Sequence, residues 1–232
     1  MKEPMDNAHW VERWRDGRIG FHKDVVNEHL EAFGPRIFGE EPIRVLVPMC
    51  GKSLDLLWLE QRGHHVIGLE LAEQAVQEFF AEHERPHEVT QNGRHRVFES
   101  GSLTIIQGDL FDLPPALPQP VQGIYDRAAF HALKTPERRE RYASILDELL
   151  DPGGSILLLT LDYDEEEMEG PPFSVPEAEI QSTFGQEAQV DRLFVQEVIH
   201  KEPKFRERGC TACKESVHFV KKSSANKKPS GL

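Results

Sequence analysis

The chain has 232 residues, of which 38% are hydrophobic, and it carries a formal net charge of −13 at pH 7. This charge argues against a general affinity for nucleic acid or anionic membranes, because both depend on clustered Lys and Arg. The sequence has three cysteines, no apolar run of about 18 residues and no apolar signal core near Met1, so we expect a protein of the reducing cytoplasm that does not enter a membrane.

Helical and extended patterns alternate from the start of the chain. Residues 9–34 show mostly helical spacing of aromatic and aliphatic side chains, interrupted by a turn at "DGRIG". The strand "IRVLVP" leads through the turn "MCGKS" into a helix that ends at Gly63, a residue suited to a helix C-terminus. The strand "HVIGLEL" and the helix "AEQAVQEFFAEH" follow. We interpret the polar residues 85–94 as a loop insertion.

The alternation continues beyond this polar stretch. A third strand, "LTIIQ", runs into the turn "GDLFDLP" and the proline-rich turn "PPALPQP", and a fourth, "GIYD", runs into the loop "RAAFHAL". Thr135 is suited to cap the next helix, with Pro136 at its first position. The stretch "DPGG" is expected to end that helix, and "SILLLTLDY" to form the fifth and most apolar strand.

This order predicts an α/β fold with a doubly wound, mostly parallel sheet. The runs 188–200 and 214–222 alternate more regularly and are expected to pair antiparallel as an edge hairpin, which makes seven strands. We assign residues 1–221 to a single domain. Residues 222–232 are expected to form a disordered tail, because they contain almost no apolar side chains.

The turn after the first strand indicates the kind of ligand, since ligands of such sheets bind outside the carboxyl ends of the strands. A phosphate loop needs a further glycine about four to five residues before its lysine, and a dinucleotide fingerprint needs three glycines. Here Gly51 stands alone before Lys52, whose side chain we expect to be solvated. The turn therefore argues against ATP, GTP and NAD, and it suits a ligand without phosphate.

Acidic and basic residues follow the other strands. Glu70 lies 19 residues after Gly51, about where a carboxylate accepts hydrogen bonds from ribose hydroxyls. Asp109 follows the third strand and could accept a hydrogen bond from an adenine amine, and Arg127 follows the fourth. A ligand with a ribose and no phosphate is S-adenosylmethionine. The alternatives are that Glu70 is simply solvated and that Arg127 pairs with Asp126 or another carboxylate.

Several motifs resemble the bacterial branch of the thiopurine S-methyltransferase family. They are "WVERWRDGRIGFH", "VLVPMCGKSLDLLWLEQRGHHVIGLELAEQAVQEFF", "FDLP", "YDRAAFHAL" and "GPPFSVPEAEIQSTFG", and together they span residues 10–185 in order. The resemblance implies a class I methyltransferase, or Rossmann-like, fold with residues 1–34 as an N-terminal helical lid. It also implies methyl transfer from S-adenosylmethionine to the sulfur of aromatic or heterocyclic thiols, or to selenium and tellurium species in detoxification.

The resemblance also implies a set of cofactor-binding residues, with Trp10 closing over the cofactor and Phe21 at the boundary with the substrate. Met49, which stands where the family usually has Leu, is expected to act through its backbone. Arg127 is the implied catalytic residue near the methionine end of the cofactor. The full cofactor-binding set is Trp10, Phe21, Met49, Gly51, Glu70, Asp109, Leu110 and Arg127.

The expected chemistry needs alignment and exclusion of water more than proton transfer, because an acidic thiol is largely thiolate near neutral pH. Trp10, Trp14 and Phe21 could cover the sulfonium with aromatic faces, although Trp14 could equally pack the first helix onto the domain. Arg127 would favour the thiolate. His22 is a conceivable proton acceptor or an ordinary surface residue.

The C-terminal region matches the family only loosely and leaves alternatives open. Lys204, Arg206 and Arg208 are all candidates for a pocket cation. Cys210 and Cys213 form a C-x-x-C pair that could bind zinc only with further ligands, for which His200 and His218 are available, so we predict no metal site and two incidental thiols.

Other classes of protein remain as alternatives. The chain could methylate another small-molecule nucleophile, or it could bind S-adenosylmethionine without catalysis. A nucleic-acid methyltransferase would need a basic face and a motif of the type "[ND]PP[YFW]" after the fourth strand, where this sequence has "YDRA". We expect a monomer, because no repeated apolar face demands a dimer.

Overall fold

The computed structural model describes residues 7–113, 120–186 and 188–224. Its helices are α1 (Asn7–Arg15), α2 (Glu28–Phe38), α3 (Asp55–Gln61), α4 (Glu73–Glu82), α5 (Pro136–Leu149), α6 (Glu177–Phe184) and α7 (Pro203–Glu207). Its strands are β1 (Arg44–Pro48), β2 (His65–Glu70), β3 (Glu88–Asn92), β4 (His95–Ser100), β5 (Leu103–Gln107), β6 (Val121–Asp126), β7 (Leu150–Tyr163), β8 (Ala188–Glu197) and β9 (Cys213–Lys222).

The strands form one mixed sheet in the order β3-β4-β5-β2-β1-β6-β7-β9-β8. The central neighbours, from β5 to β7, pair in parallel. At one edge β3 and β4 run antiparallel, and at the other edge β9 runs antiparallel to both β7 and β8. The doubly wound arrangement is as predicted, but the predicted count of seven strands is wrong, since the sheet has nine strands within the described residues.

The two additional strands come from the region around residues 85–94, where the prediction of a loop insertion is wrong. Strand β3 pairs with β4 from Glu88↔Glu99 to Asn92↔His95, and Gly93, with φ of 59°, occupies the tight turn between them. This edge strand is almost entirely exposed and polar, so it lacks the apolar alternation by which strands are recognised. The dipeptide Asn92–Gly93 was the available signal for a hairpin.

The stretch "DPGG" also differs from its prediction. Helix α5 ends at Leu149, with Thr135 capping its start as predicted, and the four residues lie inside the long strand β7. The pairing with β6 shifts register between Val121↔Leu150 and Gly123↔Ser155, and this irregularity accommodates them. Strand and turn residues are easily confused where a strand contains such a bulge.

The predicted tail begins too early. Lys222 is the last residue of β9, and its Nζ donates a hydrogen bond to the carbonyl of Asp147 at 2.5 Å. Of the predicted tail, residues 225–232 lie outside the described residues, as does most of the proline-rich turn, at 114–119.

Two apolar layers cover the faces of the sheet, because successive strand side chains point to opposite sides. One face packs Leu46, Ile124 and Leu158 against α5 and α6, and the other packs Val45 and Leu157 against α2, α3 and α4. These layers fix the carboxyl ends of the parallel strands. Within the described residues, no helix is long and apolar enough to cross a membrane.

Candidate active site

A cavity of about 680 Å³ opens at the carboxyl ends of the parallel strands. This volume lies within the range of about 300–1,000 Å³ that is usual for small-molecule sites. The cavity wall includes all eight residues of the predicted binding set: Trp10, Phe21, Met49, Gly51, Glu70, Asp109, Leu110 and Arg127. The tertiary structure thus brings the eight together, and their individual roles in binding stay predictions.

The turn after β1 is tightly constrained. Met49 and Gly51 have φ values of 48° and 54°, in the left-handed region, and the backbone N–H of Cys50 donates to the carbonyl of Leu69. A Cβ on Gly51 would lie 3.1 Å from the ring of Trp14. Gly51 therefore allows both the backbone conformation and the close approach of α1, on which Trp14 is 3% exposed.

Glu70, at the end of β2, holds this turn in place. One carboxylate oxygen accepts a hydrogen bond from the backbone N–H of Gly51 at 2.8 Å, and the other accepts from that of Ala72 at 2.7 Å. Burial raises the pKa of Glu70, and the two backbone donors oppose that shift. Each oxygen keeps acceptor capacity for a further hydrogen bond, since a carboxylate offers about four acceptor positions. The alternative that Glu70 is simply solvated is wrong, because the side chain is buried.

Three aromatic rings of the N-terminal segment lie against one another at the cavity. The centroid of Phe21 lies 5.9 Å from that of Trp10 and 5.6 Å from that of Trp14, both in edge-on arrangements. Trp14 packs on Ala72 and Ala75 at the start of α4. Trp14 therefore anchors the first helix, and the movement of this segment as a lid stays a prediction.

Arg127 joins the N-terminal segment to the sheet. Its Nη2 donates a hydrogen bond to the carbonyl of Phe21 at 2.8 Å, and its Nη1 lies 3.7 Å from Oδ2 of buried Asp55. The same Oδ2 accepts a hydrogen bond from the hydroxyl of Tyr125 at 3.0 Å, and Oδ1 accepts from the backbone N–H of Asn27 at 2.8 Å. The partner of Arg127 is therefore Asp55 and not Asp126.

Asp126 instead organises the loop that follows β6. Its carboxylate accepts hydrogen bonds from the hydroxyl of Tyr142 at 2.7 Å and from the backbone N–H groups of Ala129 and Phe130. Burial raises the pKa of Asp126 to about 6 despite these donors. The side chain of Asp126 therefore stabilises the loop that carries Arg127, and it does not line the cavity.

The turn after β5 is built around Asp109. Its Oδ1 accepts a hydrogen bond from the backbone N–H of Phe111 at 2.9 Å, and its Oδ2 accepts from Nδ2 of Asn7 at 2.7 Å. Leu110 is buried beside it. Gly108, with φ of 153°, leaves room for the ring of His95, which a Cβ would approach to 2.0 Å. The sequence analysis predicts no element for residues 95–100, and it therefore does not identify His95.

Two titratable side chains, Lys52 and His22, lie near the first turn, and Lys52 differs from its prediction. Lys52 is not solvated: its Nζ lies 2.9 Å from Glu78 and 2.5 Å from Glu82. Burial opposes its charge, but the two carboxylates outweigh burial and raise the pKa of Lys52. His22 lines the cavity, and burial together with Lys52 lowers its pKa.

The C-terminal region contributes two of its three candidate cations. Lys204 and Arg208 line the cavity, whereas Arg206 lies outside the lining. Cys210 and Cys213 are buried beside Tyr163 and Phe205, and burial raises the pKa of both thiols, that of Cys213 to about 12. No three His, Cys, Asp or Glu side chains within the described part of the chain are grouped so that they could hold a metal ion.

Several cavity residues lay beyond the sequence reasoning. In the sequence, Asp55 resembles any residue at the start of a helix, and Tyr125 resembles any strand residue. Only the tertiary structure shows the hydrogen bond between them. His131 and Glu215 also line the cavity. The motif "YDRAAFHAL" was a signal for Tyr125 and His131, since it follows a strand at the carboxyl edge of the sheet.

Solved structures with this fold define the class of protein. A Burkholderia thailandensis 1,6-didemethyltoxoflavin-N1-methyltransferase, solved with 1,6-didemethyltoxoflavin and S-adenosylhomocysteine, aligns with a TM-score of 0.63 at 17% identity, over 94% of this chain and 87% of that one. TehB from Haemophilus influenzae aligns with a TM-score of 0.62 at 14% identity, over 92% and 67%. The fold is that of the class I S-adenosylmethionine-dependent methyltransferases.

Sequence comparison is more specific. The family model described as Thiopurine S-methyltransferase (TPMT) matches residues 5–223. The Thiopurine S-methyltransferase of Pseudomonas entomophila is 43% identical over 214 residues, which are 92% of this chain and 98% of the relative. That of Methylococcus capsulatus is also 43% identical, over 94% of this chain and 98% of the relative. The chain belongs to the thiopurine S-methyltransferase family, as the sequence motifs predicted.

Proposed function

We propose that this protein transfers a methyl group from S-adenosylmethionine to the sulfur of an aromatic or heterocyclic thiol. The observation that carries the proposal is the first turn, where buried Glu70 holds the backbone of Gly51 beside an apolar cavity. Membership of the thiopurine S-methyltransferase family supports both the cofactor and the class of acceptor.

The residues present fit the cofactor. Glu70 is buried and offers unused acceptor positions for ribose hydroxyls, and the turn after β1 has no cradle of backbone N–H groups from several glycines that a pyrophosphate would require. Trp10 and Phe21 present aromatic rings at the cavity wall. Asp109 and Leu110 would contact the adenine. When bound, the cofactor supplies an electrophilic methyl carbon on a sulfonium.

The cavity divides into two halves by strand order. We assign the wall at the carboxyl ends of β5, β2 and β1 to the cofactor and call it the cofactor half. We assign the wall at the ends of β6 and β7, with the adjoining part of β9, to the acceptor and call it the acceptor half. Strands β2 and β7 are three spacings apart, which is roughly 14 Å. The two reactants would therefore meet near β1 and β6, where Arg127 lies.

The chain's own groups would perform the expected tasks of alignment and charge stabilisation. Four cations line the cavity and would favour an anionic thiolate over a neutral thiol: Arg127, Lys134, Lys204 and Arg208. The aromatic rings of Trp10 and Phe21 would exclude water from the reacting atoms. We assign to Arg127 the contact with the acceptor, because it is fixed by Phe21 and Asp55.

The cofactor is tested by calorimetric titration with S-adenosylhomocysteine, with NAD and ATP as controls. We expect micromolar affinity for S-adenosylhomocysteine alone. Binding of NAD or ATP instead would overturn the proposed cofactor.

The acceptor is tested by transfer of the radiolabelled methyl group from S-adenosylmethionine to a panel of benzenethiol, heterocyclic thiols, phenols and amines. The panel includes selenite and tellurite, because the sequence resemblance suggests those substrates. We expect transfer to thiols. Transfer only to oxygen or nitrogen acceptors would point to another small-molecule methyltransferase, and tight cofactor binding without any transfer to a non-catalytic protein.

A further inference from the structure

A second cavity, of about 290 Å³, lies behind strands β7 and β9 as seen from the acceptor half. Leu161 and Glu215, which pair across these two strands, line the large cavity. The residues next to them in the chain, Asp162, Lys214 and Ser216, line the second cavity instead. Because successive side chains of a strand point to opposite faces, β7 and β9 form the wall between the two cavities.

The floor of the second cavity is polar and uncharged. His218 is completely buried there, and neither of its ring nitrogens has a hydrogen-bond partner among the described residues. Burial lowers the pKa of His218 to about 4, with Glu177 opposing this shift and Arg192 adding to it, so the ring is neutral. A buried polar ring without partners calls for an explanation, and its place beneath a cavity indicates a binding site. The groups that can contact a ligand are the accessible ones around this ring.

The charged side chains of the second cavity are only partly paired with one another. Arg192 and Glu177 form an ion pair at its edge. Asp162 and Lys214 stand directly opposite each other on β7 and β9, but they form no ion pair. Oδ1 of Asp162 accepts a hydrogen bond from Oγ of Ser174 at 3.3 Å, and Nζ of Lys214 has no partner within the described part of the chain. One anion and one cation therefore remain available to a ligand.

The spacing of these two charges indicates the class of ligand. Directly opposite residues of an antiparallel pair have Cβ atoms about 4.5–5.5 Å apart, so the two charged groups can bind the ammonium and the carboxylate of one small zwitterion. Val175 and Val195 add apolar surface to the same cavity. The volume lies at the lower end of the range for small-molecule sites, which suits a molecule the size of an amino acid.

We propose that the second cavity binds a free α-amino acid with an apolar side chain. Lys214 binds its carboxylate, Asp162 binds its ammonium group, and the two valines contact its side chain. The hydroxyl of Ser216, which is partly exposed at the cavity wall, offers a further hydrogen bond. This site is separate from the cavity of methyl transfer, and the inference does not rest on the proposed function.

The test is calorimetric titration with L-leucine of protein saturated with S-adenosylhomocysteine, which fills the large cavity with a ligand that has an amino-acid end of its own. We expect saturable binding with a Kd below about 1 mM. Two analogues that lack one charge each, 4-methylpentanoate and isopentylamine, should bind at least about tenfold more weakly, because each leaves one charged group of the site without its partner.

Two variants locate the binding. Asp162→Asn and Lys214→Met should each weaken the binding of L-leucine at least about tenfold. The matched controls Asp191→Asn and Arg206→Met remove exposed charges outside both cavities and should leave it unchanged. All four variants should keep the wild-type affinity for S-adenosylhomocysteine, which shows that the fold is intact.

The outcomes separate this inference from the proposed function. No saturable binding of L-leucine by the wild type, or equal binding by the wild type and both cavity variants, would overturn the site. Equal affinities for L-leucine and 4-methylpentanoate would overturn the zwitterion as its ligand. If the wild type does not bind S-adenosylhomocysteine, the proposed cofactor is wrong, and titration of the free protein with L-leucine still decides this inference.

Discussion

The two halves of the cavity are built in different ways. In the cofactor half, each carboxylate combines a local and a more distant partner: Asp109 accepts from the N–H of Phe111 and from Nδ2 of Asn7, and Glu70 accepts from the N–H groups of Ala72 and Gly51. In the acceptor half, Arg127 reaches the carbonyl of Phe21, which is 106 positions away in the sequence. Each carboxylate of the cofactor half thus keeps a partner within two residues in the chain, whereas both partners of Arg127 are distant. We therefore expect that changes in the acceptor half can leave the cofactor half largely undisturbed.

The largest expected effect concerns Asp126, under the loop of the acceptor half. Its pKa is raised from 3.8 to about 6 by burial, so its stabilising contribution is fully present below about pH 4 and is lost as pH rises through 6. Between those limits the unfolding free energy of the wild type should fall, relative to that of Asp126→Asn, by on the order of 3 kcal/mol. Urea unfolding over a pH series measures this.

The control is Asp191→Asn, because Asp191 is exposed and its substitution removes a carboxylate from the protein surface. A parallel pH dependence of the wild type and Asp126→Asn would mean that the loop of the acceptor half does not depend on a buried carboxyl group.

Arg127→Met tests the long-range connection directly. The variant loses the hydrogen bond to Phe21 and the ion pair with Asp55, and hydrogen bonds of charged groups contribute about 1.5–3 kcal/mol. We expect kcat/KM for a thiol to fall about tenfold to 150-fold, with a smaller change in the affinity for S-adenosylhomocysteine. An equal loss of both would show that the two halves are not separable at this residue.

In contrast to Arg127→Met, Glu70→Ala should mainly weaken the affinity for S-adenosylhomocysteine. It leaves the backbone N–H groups of Gly51 and Ala72 without their acceptor and removes the expected ribose contact, so cofactor binding should weaken by about 1–3 kcal/mol. Glu73→Ala, three positions later at the exposed start of α4, serves as the control. Calorimetric titration with S-adenosylhomocysteine decides, and an unchanged Kd would refute the assignment of Glu70.

The smallest effect is expected for Tyr125→Phe. The substitution removes one hydrogen bond to Asp55, which keeps its bond from the N–H of Asn27. We expect a loss of about 1 kcal/mol in unfolding free energy and a smaller decrease in kcat/KM than for Arg127→Met. A decrease as large as that of Arg127→Met would mean that the tyrosine hydroxyl, and not the guanidinium, organises the junction of the two halves.

The sequence by itself determined the alternation of strands and helices, the family and the eight residues that meet at the cavity. The alternation, Gly51 and Glu70 follow from local patterns: apolar periodicity, the single glycine of the first turn, and the place of Glu70 after β2. The resemblance of longer motifs implies the family and the other members of the set, Trp10, Phe21 and Met49 among them. Local patterns did not predict β3, because its exposed polar side chains show no apolar periodicity. They predicted the end of α5 correctly, but they did not predict that "DPGG" lies inside β7.

Only the tertiary structure decided how the acceptor half is assembled. It assigned Asp55 as the partner of Arg127, placed Lys204 and Arg208 but not Arg206 at the cavity, and left His131 unpaired at its wall. The physical reason is that packing of the whole sheet brings these groups together. A contact between two residues that are distant in the chain produces no periodic pattern in the sequence around either residue.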